Sequence, residues 1–210
     1  MAASGGAPPH DRDPDRAPPG VVVSGGASRE AAKLDAHALD EHGSAYPDNA
    51  SVVARMRQLL ATPGDPFSRR HLAPGHFTAS AFVLCPERRR VLLIRHPKLG
   101  RWLQPGGHIE PGDADLVAAA RREAIEETGV VVEEPLGGIF DVDIHDIPDS
   151  VKDPAHQHFD VRYAFIARSD RLEVSPEVLG ARWVELSEVT LLTDEDSVLR
   201  CTERLRTGSF

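Results

Sequence analysis

Arg122-Glu123-Ala124-Ile125-Glu126-Glu127-Thr128-Gly129-Val130 follows a short Pro105-Gly106-Gly107-His108 segment, and the two together carry the chemistry of this chain. A helix of about 3.6 residues per turn sets the carboxylates of Glu123, Glu126 and Glu127 on one side, within reach of a single ion. Three like charges there repel unless something cationic sits beside them. Hard oxygen donors suit Mg²⁺ or Mn²⁺, ions that also hold phosphate oxygens. The glycines ahead of the helix let the backbone approach such an ion and offer a carbonyl. A Glu-Glu pair alone is most often a solvated helix face. The ordered set of glycines, acidic loop, Ala-rich helix and Arg-Glu-x-x-Glu-Glu-x-Gly is far more specific.

The stretch from Gly107 to Val130 resembles the Nudix box, whose pattern is Gly, a later Glu, then Arg-Glu-apolar-x-Glu-Glu-x-Gly-apolar. Arg122 to Val130 matches at every fixed position, but the first half departs. Counted forward from Gly107 the first acidic position falls on Asp113, and counted back from Arg122 it falls on Ala114. One residue is therefore inserted, in the loop Glu110-Pro111-Gly112-Asp113. In the family that carboxylate pairs with the box arginine, and here only Asp113 or Asp115 can stand in.

The resemblance implies an α/β fold, an α/β/α sandwich around a mixed sheet, over about residues 75 to 205. It also implies a metal-dependent hydrolase that cleaves a phosphoanhydride in a nucleoside diphosphate linked to another group, or in a related organic pyrophosphate. Water attacks such a bond poorly until metal neutralises the oxygens and lowers the water's pKa. The Mg²⁺ or Mn²⁺ ligands it implies are Glu123, Glu127 and the Gly107 carbonyl, with Glu126 a further ligand or the general base. Arg122 would orient a carboxylate through its two-pronged guanidinium. Glu177, in Ser175-Pro176-Glu177, competes with Glu126 as the base; read locally, it is an exposed carboxylate in a turn. His108 and Arg95 are the candidate substrate contacts. A non-hydrolytic nucleotide sensor on the same fold is the alternative, and the altered first half of the box favours it. The intact glutamates favour hydrolysis.

A second group of polar residues follows the box: Asp141, Asp143, His145 and Asp146, then His156, His158 and Asp160. His156-x-His158 with nearby aspartates has the ligand types of a transition-metal site. The alternation of Asp141, Asp143 and His145 with Phe140, Val142 and Ile144 reads instead as one solvated face of a strand.

The chain has 210 residues, 40% of them hydrophobic, enough for one domain with extensions. A formal net charge of −9 argues against long nucleic acid as a partner, since backbone binding leans on basic surface. Arg69-Arg70 and Arg88-Arg89-Arg90 read as solvated turns, with contact to substrate phosphate as the second reading. Cys85 and Cys201 lie far apart and read as buried small side chains rather than a disulfide. With neither a basic-apolar leader nor a long apolar run, a cytoplasmic protein without membrane contact is the default expectation.

Composition divides the chain into a Pro/Gly/Ala-rich tail over residues 1–27, expected to be disordered, a helical extension and linker over 28–73, and the main domain over 74–210. Helices are expected from Ser28 to His42 and from Asp48 to Leu60. The second carries an apolar stripe of Val52, Val53, Met56, Leu59 and Leu60 behind a Pro47-Asp48-Asn49 cap. That stripe packs on the main domain, or on a second copy of the chain in a homodimer. Strands are expected over 77–84, 90–95, 136–144, 161–167 and 182–186, the first two as a hairpin. The box helix should end at Thr128 under a Gly129 cap and bury Leu116, Ala120, Ala124 and Ile125, and a last helix should cover 194–205.

Overall fold

The computed structural model describes residues 1–2 and 34–208. All but the first two residues of the expected tail lie outside that part, as does the start of the helix expected from Ser28. Helix α1 runs Ala36–Ala45 behind Asp35, whose carboxylate accepts from the His37 amide. A 3-10 turn at Pro47–Asn49 leads into α2, Ala50–Leu60. Val53, Met56 and Leu59 of α2 are buried in the core of their own chain, so the stripe is covered without a second copy. The expected cap takes another form: Asn49 sits at the N-cap but makes no capping bond. Its Nδ2 instead donates to Asp141 Oδ1 at 3.1 Å and to His42 Nε2 at 2.9 Å, while His42 Nδ1 donates to the Ile139 carbonyl.

The remaining elements are β1 (Gly75–Leu84), β2 (Arg90–Arg95), β3 (Trp102–Leu103), β4 (Gly106–His108), α3 (Leu116–Thr128), β5 (Asp141–Ile147), β6 (His156–Ile166), β7 (Ala181–Glu185), a 3-10 turn (Val189–Leu191) and α4 (Asp196–Thr207). One seven-stranded sheet has the order β3-β2-β1-β6-β5, with β4 beside β1 and β7 beside β2. β1 and β6 are parallel from Gly75↔Gln157 to Leu84↔Ile166, and the other named strand pairs are antiparallel. The sheet is therefore mixed. This long parallel register explains why β6 begins at His156, well before the expected residue 161. It also fixes Gly75, where a Cβ would stand 1.8 Å from the Gln157 carbonyl oxygen.

Strand alternation gives the sheet two covered faces. Phe77, Ala79, Ala81 and Val83 of β1 join Leu116, Ala119, Ala120 and Ala124 of α3 and the stripe of α2 in one core. Phe82, Leu84, Val91 and Leu93 meet Val198, Cys201 and Leu205 of α4 in the other. Together these layers make the expected α/β/α sandwich. Ile125 departs from expectation at 40% exposed, because it lies about 100° round the helix from Ala124 and off the buried stripe. Both cysteines are free and buried.

The polar face of β5 is the larger correction. Asp141 is fully buried, not solvated, because α4 covers it. Arg162 of β6 donates to Asp141 at 3.2 Å, to Asp143 at 3.1 Å and to Asp160 at 2.8 Å. Arg200 and Arg204 of α4 reach Asp141 at 2.8 and 2.7 Å. Burial opposes ionisation of Asp141, yet these guanidinium groups hold its carboxyl below the usual range. Such a carboxylate contributes stability above its unfolded pKa, and that stability is lost as pH falls through the lower folded value. Asp141→Asn is expected to cost about 3 kcal/mol, since Arg162 stays buried with a weakened partner. A lower urea midpoint at neutral pH, with the gap to wild type narrowing below about pH 4, is the outcome that checks it.

Candidate active site

β4 lies antiparallel on β1, with Ser80 opposite Gly106, Ala79 opposite Gly107 and Thr78 opposite His108. A Cβ at Gly106 would stand 2.2 Å from Ser80 Oγ and 2.9 Å from the Ala79 carbonyl oxygen, so only glycine fits against β1. On the other side of β4, a Cβ at Gly107 would stand 2.6 Å from Glu123 Oε1. The bare strand thus brings α3 close. The Gly106 amide donates to Glu127 Oε2 at 3.2 Å.

Asp115 starts α3 by accepting from the Ala118 amide at 2.7 Å, and Gly129 ends it at φ 71°. Asp113 is free to do something else. It takes Arg122 in two parallel bonds, Nε to Oδ1 at 3.0 Å and Nη2 to Oδ2 at 3.0 Å. The same guanidinium reaches Glu123 at 2.9 Å, Glu126 at 2.8 Å and the His108 carbonyl at 2.8 Å. Of the two acids expected as stand-ins, Asp113 is therefore the one that pairs with Arg122.

Beyond the helix, the amides of Glu173 and Ser175 donate to the carbonyls of Thr128 and Glu127. Those bonds fold the segment before β7 over the end of α3 and deliver Glu177. Burial first, then the charges of Glu123, Glu177 and Glu126, push the Glu127 carboxyl up to about 8 against the opposing Gly106 hydrogen bond. Burial also raises Glu123, while Arg122 pulls it down. Among the described residues no ion pair reaches Glu127. An all-oxygen set with one carboxylate so poorly compensated fits a hard divalent cation.

These groups border a cavity of about 1430 Å³. Gly107, Arg122, Glu123, Glu126 and Glu177 line it together with His108, whose carbonyl accepts from Arg122 while strand alternation turns its ring to the other face of β4. Most of the residues singled out in the sequence thus come together. Glu127 stands just behind, on the Gly106 amide. Arg95 does not join them: it is exposed at the end of β2 and donates to the Gly100 carbonyl at 3.3 Å. Arg69 and Arg70, in the linker after α2, line the cavity in its place. Their sequence signal was the basic pair itself; nothing local says that the linker folds over the box. The imidazole of His108 lies against those of His76 and His158, with centroids 5.1 Å away in each case.

The family model for the NUDIX domain matches residues 75–204. The Probable DHNTP pyrophosphohydrolase of Lactococcus lactis subsp. cremoris is 33% identical over 130 residues, covering 61% of this chain and 76% of that protein. An RNA pyrophosphohydrolase of Rhodopseudomonas palustris is 50% identical over 50 residues, 24% of this chain and 28% of that one. Among solved structures, a NUDIX-family hydrolase from Clostridium perfringens aligns at a TM-score of 0.47 with 27% identity, over 64% of this chain and 98% of that one. The chain belongs to the Nudix family.

Two outcomes are expected at this site. Asp113→Ala leaves Arg122 without its paired acceptor and should cost about 2 kcal/mol, read as a lower denaturant midpoint. Glu127, with its folded pKa raised, destabilises the metal-free fold as pH rises from the ordinary carboxylate value through about 8. Metal-free Glu127→Gln should therefore melt above wild type at pH 9 and close to it at pH 5, and calorimetry at the two pH values checks this.

Proposed function

We propose that the chain is a pyrophosphohydrolase that uses Mg²⁺ or Mn²⁺ to cleave a phosphoanhydride bond in a nucleotide or related organic pyrophosphate. The observation that carries this reading is the meeting of Gly107, Glu123, Glu126 and Glu177 with Arg69 and Arg70 in one cavity. Its volume of about 1430 Å³ accommodates a nucleotide-sized substrate. The names of the two curated relatives, one a probable DHNTP pyrophosphohydrolase and the other an RNA pyrophosphohydrolase, support the same bond type.

In this reading Glu123, Glu126, Glu127 and the Gly107 carbonyl hold the ion, which supplies charge neutralisation at the phosphates and a more acidic water. Arg122 positions Glu123 and Glu126, and Asp113 positions Arg122. Arg69 and Arg70, which line the same cavity, would bind the phosphate oxygens of the substrate. Glu177 takes the proton from the attacking water. Glu126 is the less available base because Arg122 already donates to its carboxylate at 2.8 Å. The bidentate Asp113 contact supports hydrolysis over the sensor reading, since the box arginine keeps an acidic partner.

Phosphate and pyrophosphate release, with product mass analysis, tests this on a panel of nucleoside triphosphates, nucleotide sugars, dinucleotides and dihydroneopterin triphosphate, each with Mg²⁺ or Mn²⁺. Turnover should vanish without divalent metal and fall by most of its value in Glu127→Gln. Glu177→Gln should lower kcat by about 100-fold or more with KM little changed. Tight nucleotide binding without turnover across the panel would replace hydrolysis with the sensor reading.

A further inference from the structure

The sheet face opposite the glutamates carries a separate cluster. His76 of β1 pairs in register with His158 of β6, and His158 pairs with His145 of β5. His108 of β4 pairs with Thr78, two residues on from His76 and on the same face. Gly107 faces Glu123 across β4, so its neighbour His108 faces the other way. Three strands thereby bring His76, His108 and His158 to one point, where one donor atom from each lies within 4.8 Å of the others.

His76 is the revealing member. It is 1% exposed, and its Nδ1 meets the His71 carbonyl oxygen at 3.2 Å. A carbonyl only accepts, so Nδ1 carries the proton and Nε2 bears the lone pair. Nε2 is buried and has no hydrogen-bond partner among the described residues. A buried acceptor without a partner loses its hydration for nothing, and an apolar ring would pack there without that loss. A backbone carbonyl on one nitrogen with the other left bare is the arrangement that orients a metal-ligating imidazole.

We propose that His76, His108 and His158 form a three-imidazole site for a transition-metal ion of the Zn²⁺ class, distinct from the glutamate site. Neutral imidazoles without carboxylate select Zn²⁺ over Mg²⁺. Zn–N bonds of about 2.0 Å at tetrahedral angles place the nitrogens about 3.3 Å apart, so modest side-chain rotation closes the observed spacing. The fourth position is left for water or an anion, and Arg69, whose charge acts on both His76 and His108, favours the anion. The carboxylate of Asp143, 3.6 Å from His145 Nδ1, sits beyond the three ligands.

The test uses the full chain, stripped with chelator and dialysed, in a Glu127→Gln background that cripples the glutamate site. Titration with Zn²⁺ should show about one ion per chain, retained in excess Mg²⁺, and His158→Ala should weaken it by about 100-fold or more. Co²⁺ in place of Zn²⁺ should give the intense visible bands of a four- or five-coordinate nitrogen-bound ion. No Zn²⁺ uptake by the Glu127→Gln chain, or equal uptake with and without His158, would overturn the proposal. Should His158→Ala fail to fold, the Co²⁺ spectrum decides: bands of a six-coordinate, oxygen-bound ion would overturn it equally. Hydrolysis is not a readout here, so the site stands or falls apart from the reaction proposed above.

Discussion

Arg162 is buried in the middle of the sheet, and a guanidinium removed from water is tolerable only when its donors are satisfied by charge. Asp160, Asp141 and Asp143 do this from its own strand and the next. Each of these acids then ties in something else. Asp141 collects Arg200 and Arg204 from α4 and Asn49 from the turn before α2, so the start of α2 and the last helix are fastened to one carboxylate. Asp160 accepts from Thr78 and Ser80 of β1 at 3.1 and 2.8 Å. Ser80 is the residue that leaves room only for glycine at position 106, whose amide in turn holds Glu127. Buried polar contacts therefore run from the helical extension to Ser80, and close packing of Ser80 on Gly106 carries them to the rear of the candidate active site.

Arg122 plays the corresponding part at the surface of the cavity. It balances charge on Glu123 and Glu126 but leaves Glu127 exposed to the field of its neighbours, and that imbalance is what a divalent ion would correct. The shifted first half of the box becomes intelligible on the same terms. Aspartate is one methylene shorter than glutamate, and the loop that carries it is one residue longer. The longer backbone brings the shorter carboxylate to the guanidinium with both oxygens engaged.

What could be read from the sequence was what is local. Helical spacing gave α2 and α3, and β1, β2 and the Gly129 stop followed from alternation and turn chemistry. Motif spacing brought Gly107, Arg122, Glu123, Glu126 and Glu127 together correctly. Ile125 apart, whose exposure follows from its place round the helix, the losses come from contacts made across long separations. Asp141 looked solvated because the arginines that cover it lie about sixty residues downstream on α4. Arg95 was preferred to Arg69 and Arg70 because nothing in the linker reports that it turns back over the box. Asn49 looked like a cap because its real acceptor lies 92 residues away.

The glycine strand shows how one short segment can separate two kinds of chemistry. Alternation along β4 turns position 107 toward α3 and position 108 toward β1 and β6, a choice fixed by the pleat rather than by either side chain. Carboxylate oxygens gather on the first side because α3 packs there through its alanines and leaves its glutamates at the rim. Imidazoles gather on the second because the parallel register of β1 with β6 aligns His76 with His158. A shift of that register by one residue would send His158 to the other face and bring Gln157 in its place, so the histidine cluster depends on the same pairing that forces glycine at position 75. Hard and borderline cations would thus be sorted by which face of β4 they meet, with no segregation needed along the sequence, where Gly107 and His108 are neighbours.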